Sequence, residues 1–100
     1  MEPDSFNEVI GGKRYRTAAS TLIASDAYFD GSNWERHGRN TFLYRTKNGA
    51  YFKVNQTRWQ GERDALTPLT PDEAQTLFEE LPEKEMDFED AFPGVTVVDA

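Results

Sequence analysis

Apolar and polar residues are patterned most clearly in TFLYRTKNGAYFKVNQTRW, residues 41–59. Its two halves are rich in aromatic and β-branched residues, which suit a half-buried pleated surface. They flank Asn48-Gly49, the preferred pair for a two-residue type I′ turn. Such a turn predicts Thr46 opposite Tyr51, Tyr44 opposite Lys53 and Leu43 opposite Val54. One face then carries Leu43, Phe52 and Val54, and the other carries Phe42, Tyr44, Tyr51 and Lys53. Large apolar groups on both faces mean that one packs under a helix and the other is at least half covered or binds a partner.

The rest of the chain reads in the same way. NEVIGGKRYR predicts a small hairpin, with Gly11-Gly12 supplying positive φ angles and Val9 facing Arg14. TAAS fits a single turn capped by Thr17. TLIASDAYF, residues 21–29, reads as a strand, although its alanines keep a helix over 18–24 in competition. LTPDEAQTLFEELP predicts a helix. Thr70 is its N-cap, Pro71 takes the first helical position, Glu73 completes a capping box and Pro82 ends it. Ala74, Leu77, Phe78 and Leu81 fall on one stripe. MDFEDAFPG predicts a short turn capped by Asp87, with Phe88 and Phe92 on one face and Pro93-Gly94 at its end. VTVV is an edge strand or an ordered tail. There is no internal repeat and no low-complexity linker.

These elements predict one small α+β domain over residues 1–100, with an acidic C-terminal segment over 82–100. The expected architecture is an antiparallel sheet of three to five strands. The Pro71–Leu81 helix packs on the Leu43/Phe52/Val54 face, and a short C-terminal helical turn follows.

Composition narrows the classes of function. The chain has 100 residues, of which 37% are hydrophobic and 13% aromatic, so the core is built largely on rings. It contains no Cys, which excludes disulfides, thiolate metal sites and cysteine nucleophiles together. No long apolar run predicts a membrane span, and MEPDSFNEV lacks the basic and apolar start of a signal peptide. A cytoplasmic location is the resulting expectation.

Charge is divided along the chain. Residues 1–60 hold nine Lys/Arg against six Asp/Glu, a net +3, whereas residues 61–100 hold two against twelve, a net −10. The phosphate backbone of a nucleic acid would repel the second part. The division favours nucleic-acid binding by the basic part alone, or binding of a basic protein by the acidic part.

GKRYRTAASTLIAS, WERHGRNTFLYRTKNGAYF and LTPDEAQTLFEEL together carry a resemblance. Over residues 11 to 92 the chain resembles small uncharacterised bacterial proteins carried on plasmids, prophages and other mobile elements. The shared motifs are a turn, a strand pair and a helix cap. The resemblance implies the α+β fold and a mobile-element setting, with no catalytic residues to carry over.

Three groups of residues are candidates for chemistry. The first is the loop DGSNWERHGRN, residues 30–40, with Trp34, Arg36, His37 and Arg39. His37 has only Glu35 as a nearby ligand, a spacing that makes no zinc motif, so neither a metal nor a cofactor is expected. Trp34 is expected to fold back and anchor the loop. The second is a basic aromatic face. Lys13, Arg14, Arg16, Arg36, Arg39, Arg45, Lys53 and Arg58 would supply charge, and Tyr44, Tyr51 and Trp59 would stack on single-stranded bases. No established nucleic-acid-binding signature accompanies them. RWQGERD, residues 58–64, reads either as a recognition loop or as a solvated turn. No nucleophile elbow, P-loop or framed carboxylate pair is present, so no enzymatic activity is expected.

The third group is the acidic surface of Glu79, Glu80, Glu83, Glu85, Asp87, Glu89 and Asp90. A fixed array of carboxylates at phosphate-like spacing suits a basic cleft on a protein. Solubility, or docking of the acids on the domain's own basic face, is the simpler role for them. The expected function is therefore a non-enzymatic binding protein: an acidic, mobile-element-encoded inhibitor or accessory factor engaging a basic protein surface. A single-stranded nucleic-acid-binding domain is the alternative.

Overall fold

A computed structural model describes residues 6–26, 39–57, 61 and 63–95. The elements are β1 (Asn7–Ile10), β2 (Lys13–Arg16), β3 (Ser20–Ser25), β4 (Arg39–Thr46), β5 (Tyr51–Thr57), β6 (Ala65–Leu69), α1 (Pro71–Glu80), β7 (Glu83–Lys84) and α2 (Phe88–Ala91). The fold is α+β. Five strands form an antiparallel sheet in the order β6-β5-β4-β3-β7, and β1-β2 forms a separate two-stranded ribbon.

The central hairpin β4-β5 differs from its predicted register by one residue. Arg45 pairs with Tyr51, Tyr44 with Phe52, Leu43 with Lys53 and Phe42 with Val54. The cause is the turn. Thr46 N donates to Ala50 O at 2.8 Å and Gly49 N donates to Thr46 O at 3.0 Å, so Lys47, Asn48 and Gly49 together form a three-residue loop. Gly49, at φ 87°, takes the left-handed position after the turn, where a side chain would be strained. The Ala50 N–H donates to Thr46 Oγ1 at 3.0 Å and ties the loop shut.

A one-residue shift in pairing changes which side chains share a face. Leu43 and Tyr51 lie on the helix side, in a core with Ile23, Ala74, Phe78, Leu81, Ala91 and Phe92. Phe52 and Val54 lie on the other side with Tyr15, Phe42, Tyr44 and Leu66. The helix therefore does not pack on a Leu43/Phe52/Val54 face, because no such face exists. Tyr51 and Tyr44 likewise fall on opposite sides.

The β1-β2 ribbon covers the second side. Gly11 and Gly12 have φ of 60° and 79°, as a type I′ turn requires, and Val9 pairs with Arg14 as predicted. Tyr15 meets Phe52 edge-on at 5.6 Å, and Phe52 stacks on its cross-strand partner Tyr44 at 5.1 Å. Thr17 does not cap the following 3₁₀ turn. Its hydroxyl accepts from Phe6 N at 3.0 Å and closes the ribbon's open end. Residues 20–25 form a strand rather than the competing helix, with a register shift between Leu22 and Ala24. At that bulge Ile23 O accepts from Glu85 N at 3.0 Å.

β6 was not predicted, because Pro68 lies within it. β6 pairs only with β5, so it is an edge strand, where a missing N–H is tolerated. The opposite edge, β7, is two charged residues long. A proline on one edge and a short charged strand on the other both discourage pairing with further strands.

Helix α1 has its predicted punctuation. Glu73 N donates to Thr70 Oγ1 at 3.2 Å and Thr70 N donates to Glu73 Oε1 at 2.8 Å. These bonds from the Thr70 backbone and side chain hold the Glu73 carboxyl below the usual glutamate range, and Lys53 adds to the effect. Thr70→Ala should lower stability by about 1 kcal/mol, a fall in Tm of roughly 4–8 °C. The part of that loss tied to Glu73 has a definite sign in pH. A depressed carboxyl stabilises the fold above its ordinary value and ceases to do so as pH falls through the lowered one. The gap between the thermal melts of the two proteins should therefore narrow, without closing, as pH falls below the ordinary glutamate range.

At the second helix, Asp87 occupies the N-cap position but makes no side-chain capping bond. Backbone bonds from Ala91 N to Asp87 O and from Phe92 N to Phe88 O close this short turn. Phe88 and Phe92 share a face as predicted, 4.9 Å apart. The residues of the predicted VTVV strand lie outside the described residues apart from Val95, which is exposed.

Candidate interaction surface

The acidic surface is built by the end of α1, by β7 and by α2. Residues 79–90 hold seven carboxylates and one lysine, a net −6. Glu79, Glu80, Glu85, Asp87, Glu89 and Asp90 are exposed, and Glu83 is half-buried where it pairs with Ser25 on β3. The stretch is held by apolar contacts beneath it. Leu81, Ala91 and Phe92 are buried, Met86 and Phe88 pack against them, and Tyr51 Oη donates to Ala91 O at 2.9 Å. Much of the acidic C-terminal segment is thus fastened to the sheet and the core.

Its electrostatics are uneven. Glu89 and Asp90 stand in the first turn of α2, where negative charge is favoured. Glu79 and Glu80 stand at the opposite end of α1, where the helix dipole disfavours it, and no basic residue offsets them in the last turn. Two glutamates at this position work against helix stability.

The one lysine of the stretch is already engaged. Lys84 Nζ donates to Leu81 O at 2.6 Å and sits 5.2 Å from the centre of the Phe78 ring. Beside it, Phe78, Met86 and Phe88 form the apolar part of a shallow groove of about 550 Å³. Glu79, Lys84, Glu85 and Asp87 complete its lining. This groove was not legible in the sequence, because it forms only once residues 84–88 come alongside Phe78 and Glu79 of α1. The interleaving of Met86 and Phe88 among acids was its one visible sign.

Among the described residues the basic aromatic face departs from the expectation. Tyr44 and Tyr51 are 4% and 7% exposed and offer no ring for a base to stack on. Lys53 lies against α1 and lines a groove with Asp72, Glu73 and Glu80. Arg45 sits beside Tyr51 on the helix side of the sheet, half-buried, and its Nε has no hydrogen-bond partner. Arg39 opens β4 opposite Thr57. Trp34, Arg36, His37, Arg58 and Trp59 lie outside the described residues, as does most of the 58–64 loop. Arg14, Arg16 and Lys47 do come together, with Ser20, Thr46 and Asn48, around a notch of about 200 Å³.

Among the described residues no group of three or more His, Asp or Glu is placed to hold a metal ion. No helix of the described residues is long and apolar enough to cross a membrane. Compared with known proteins, the chain matches no family model, no curated protein and no solved structure.

Proposed function

We propose that this chain is a non-enzymatic binding protein whose acidic surface engages a basic surface on a protein partner. The observation that carries this reading is the placement of the carboxylates. They project from a segment anchored by Leu81, Ala91 and Phe92, so their spacing is set by the fold. A preset array loses less entropy on binding than a flexible tail would. Glu79 and Glu80 at the unfavourable end of α1 point the same way, since local rules are broken most often where function requires it. The role we assign is that of a cytoplasmic inhibitor or accessory factor encoded by a mobile element.

Single-stranded nucleic-acid binding is the second reading. It keeps a foothold in the notch of Arg14, Arg16 and Lys47. The burial of Tyr44 and Tyr51 takes two of its three stacking rings out of reach, and the third, Trp59, lies outside the described residues.

Copurification separates the two. The tagged chain, expressed in a bacterial host, is expected to retain a stoichiometric basic protein that survives nuclease treatment and is identified by mass spectrometry. Copurifying RNA or DNA that survives moderate salt, with no such protein, would overturn the acidic-surface reading.

A further inference from the structure

We propose that the groove between α1 and β7-α2 seats a single arginine side chain supplied by the basic partner. The proposal rests on the acidic-surface reading and narrows it to one anchor. The groove combines what a guanidinium on an aliphatic stem requires. Half-buried Met86 and Phe88 give an apolar surface for the methylenes, with buried Phe78 as the floor behind them. Three carboxylates, on Glu79, Glu85 and Asp87, face one ammonium, on Lys84, leaving the lining at a net −2.

The chain already sets one cation of its own beside the groove. Lys84 stands over Phe78 at 5.2 Å, and that ring is crossed edge-on by Phe88 at 5.8 Å. Lys84 takes up the Phe78 ring and the Leu81 carbonyl and leaves Met86, Phe88 and the carboxylates for a second cation. Arginine suits that role better than lysine. Its planar group stacks on a ring, is weakly hydrated and presents five donors to several carboxylates at once. Arginine is also among the residues that most often dominate the energy of an interface.

Met86 provides the test, because the only other methionine is Met1. The probe is a blocked hexapeptide of alternating arginine and glycine, titrated into the full chain while the methionine methyl signals are followed by NMR. Lysine and citrulline versions of the peptide serve as comparisons. The Met86 methyl should shift saturably with the arginine peptide, at several-fold higher affinity than with the lysine one, and should not respond to citrulline. Glu79→Gln, Glu85→Gln and Asp87→Asn together should weaken binding about tenfold, as three exposed charge pairs would. A stationary Met86 methyl overturns the groove as an arginine seat, as does equal affinity for the arginine and lysine peptides. If backbone signals across residues 79–90 still move, the acidic-surface reading survives that failure. If nothing moves, copurification decides that reading separately.

Discussion

Phe92→Ala should cost about 3–5 kcal/mol and lower Tm by roughly 15–30 °C. Phe92 is 1% exposed and stands where sheet, α1 and α2 meet. It stacks on Tyr51 at 4.9 Å, lies against Phe88 at 4.9 Å and meets Phe78 edge-on at 5.5 Å. Truncation removes three ring contacts at once and leaves a cavity under α2 that little can fill. A domain of this size has about 5–15 kcal/mol of total stability, so the variant should be marginal. Urea denaturation measures the loss. Tyr51→Phe is the milder companion. It keeps the ring stack and removes only the bond to Ala91 O, with an expected cost of about 1 kcal/mol. A Phe92→Ala loss below about 1 kcal/mol would mean that residues 83–92 are not fastened to the core, and the preset spacing of the carboxylates would go with it.

What was legible in the sequence followed from how local each signal is. The capping box of α1 involves Thr70 and Glu73, three residues apart, and both bonds form as expected. The Gly11-Gly12 hairpin is equally local, and its register held. Asn48-Gly49 announced a hairpin correctly but not its loop length. Asn-Gly serves as the centre of a two-residue turn or as the last two positions of a three-residue one, and the difference moves every pair in β4-β5 by one. That single residue decides whether Tyr44 and Tyr51 share a face, so the expected stacking platform rested on it. β6 was hidden by Pro68, which reads as a breaker unless the strand is known to be an edge. β7 is too short for any periodicity to show. The acidic residues were visible as composition. Their joining into one surface was not, because it depends on the pairing of Lys84 with Ala24 and of Glu83 with Ser25.

Reversal of Glu83, Glu85 and Glu89 to lysine should weaken binding to the copurified basic partner by about a hundredfold. Each exposed pair contributes roughly 0.2–1 kcal/mol, and reversal replaces attraction with repulsion of similar size, so three sites amount to about 3 kcal/mol. The protein's net charge moves from −7 to −1 in this variant. Much of the loss should therefore appear in the association rate and shrink as salt rises. Glu85 and Glu89 are exposed and Glu83 is half-buried at a sheet edge, so circular dichroism should show the fold retained. Reversal of Arg36, Arg39 and Arg45 to glutamate is the opposing experiment. It should leave the protein partner bound, and the change at half-buried Arg45 beside Tyr51 should lower stability. The two readings divide on this pair of variants, measured by calorimetry at two salt concentrations. If the arginine set abolishes binding and the glutamate set does not, the active surface lies on the basic half. The carboxylates of residues 79–90 then serve solubility, as acids on a small domain commonly do.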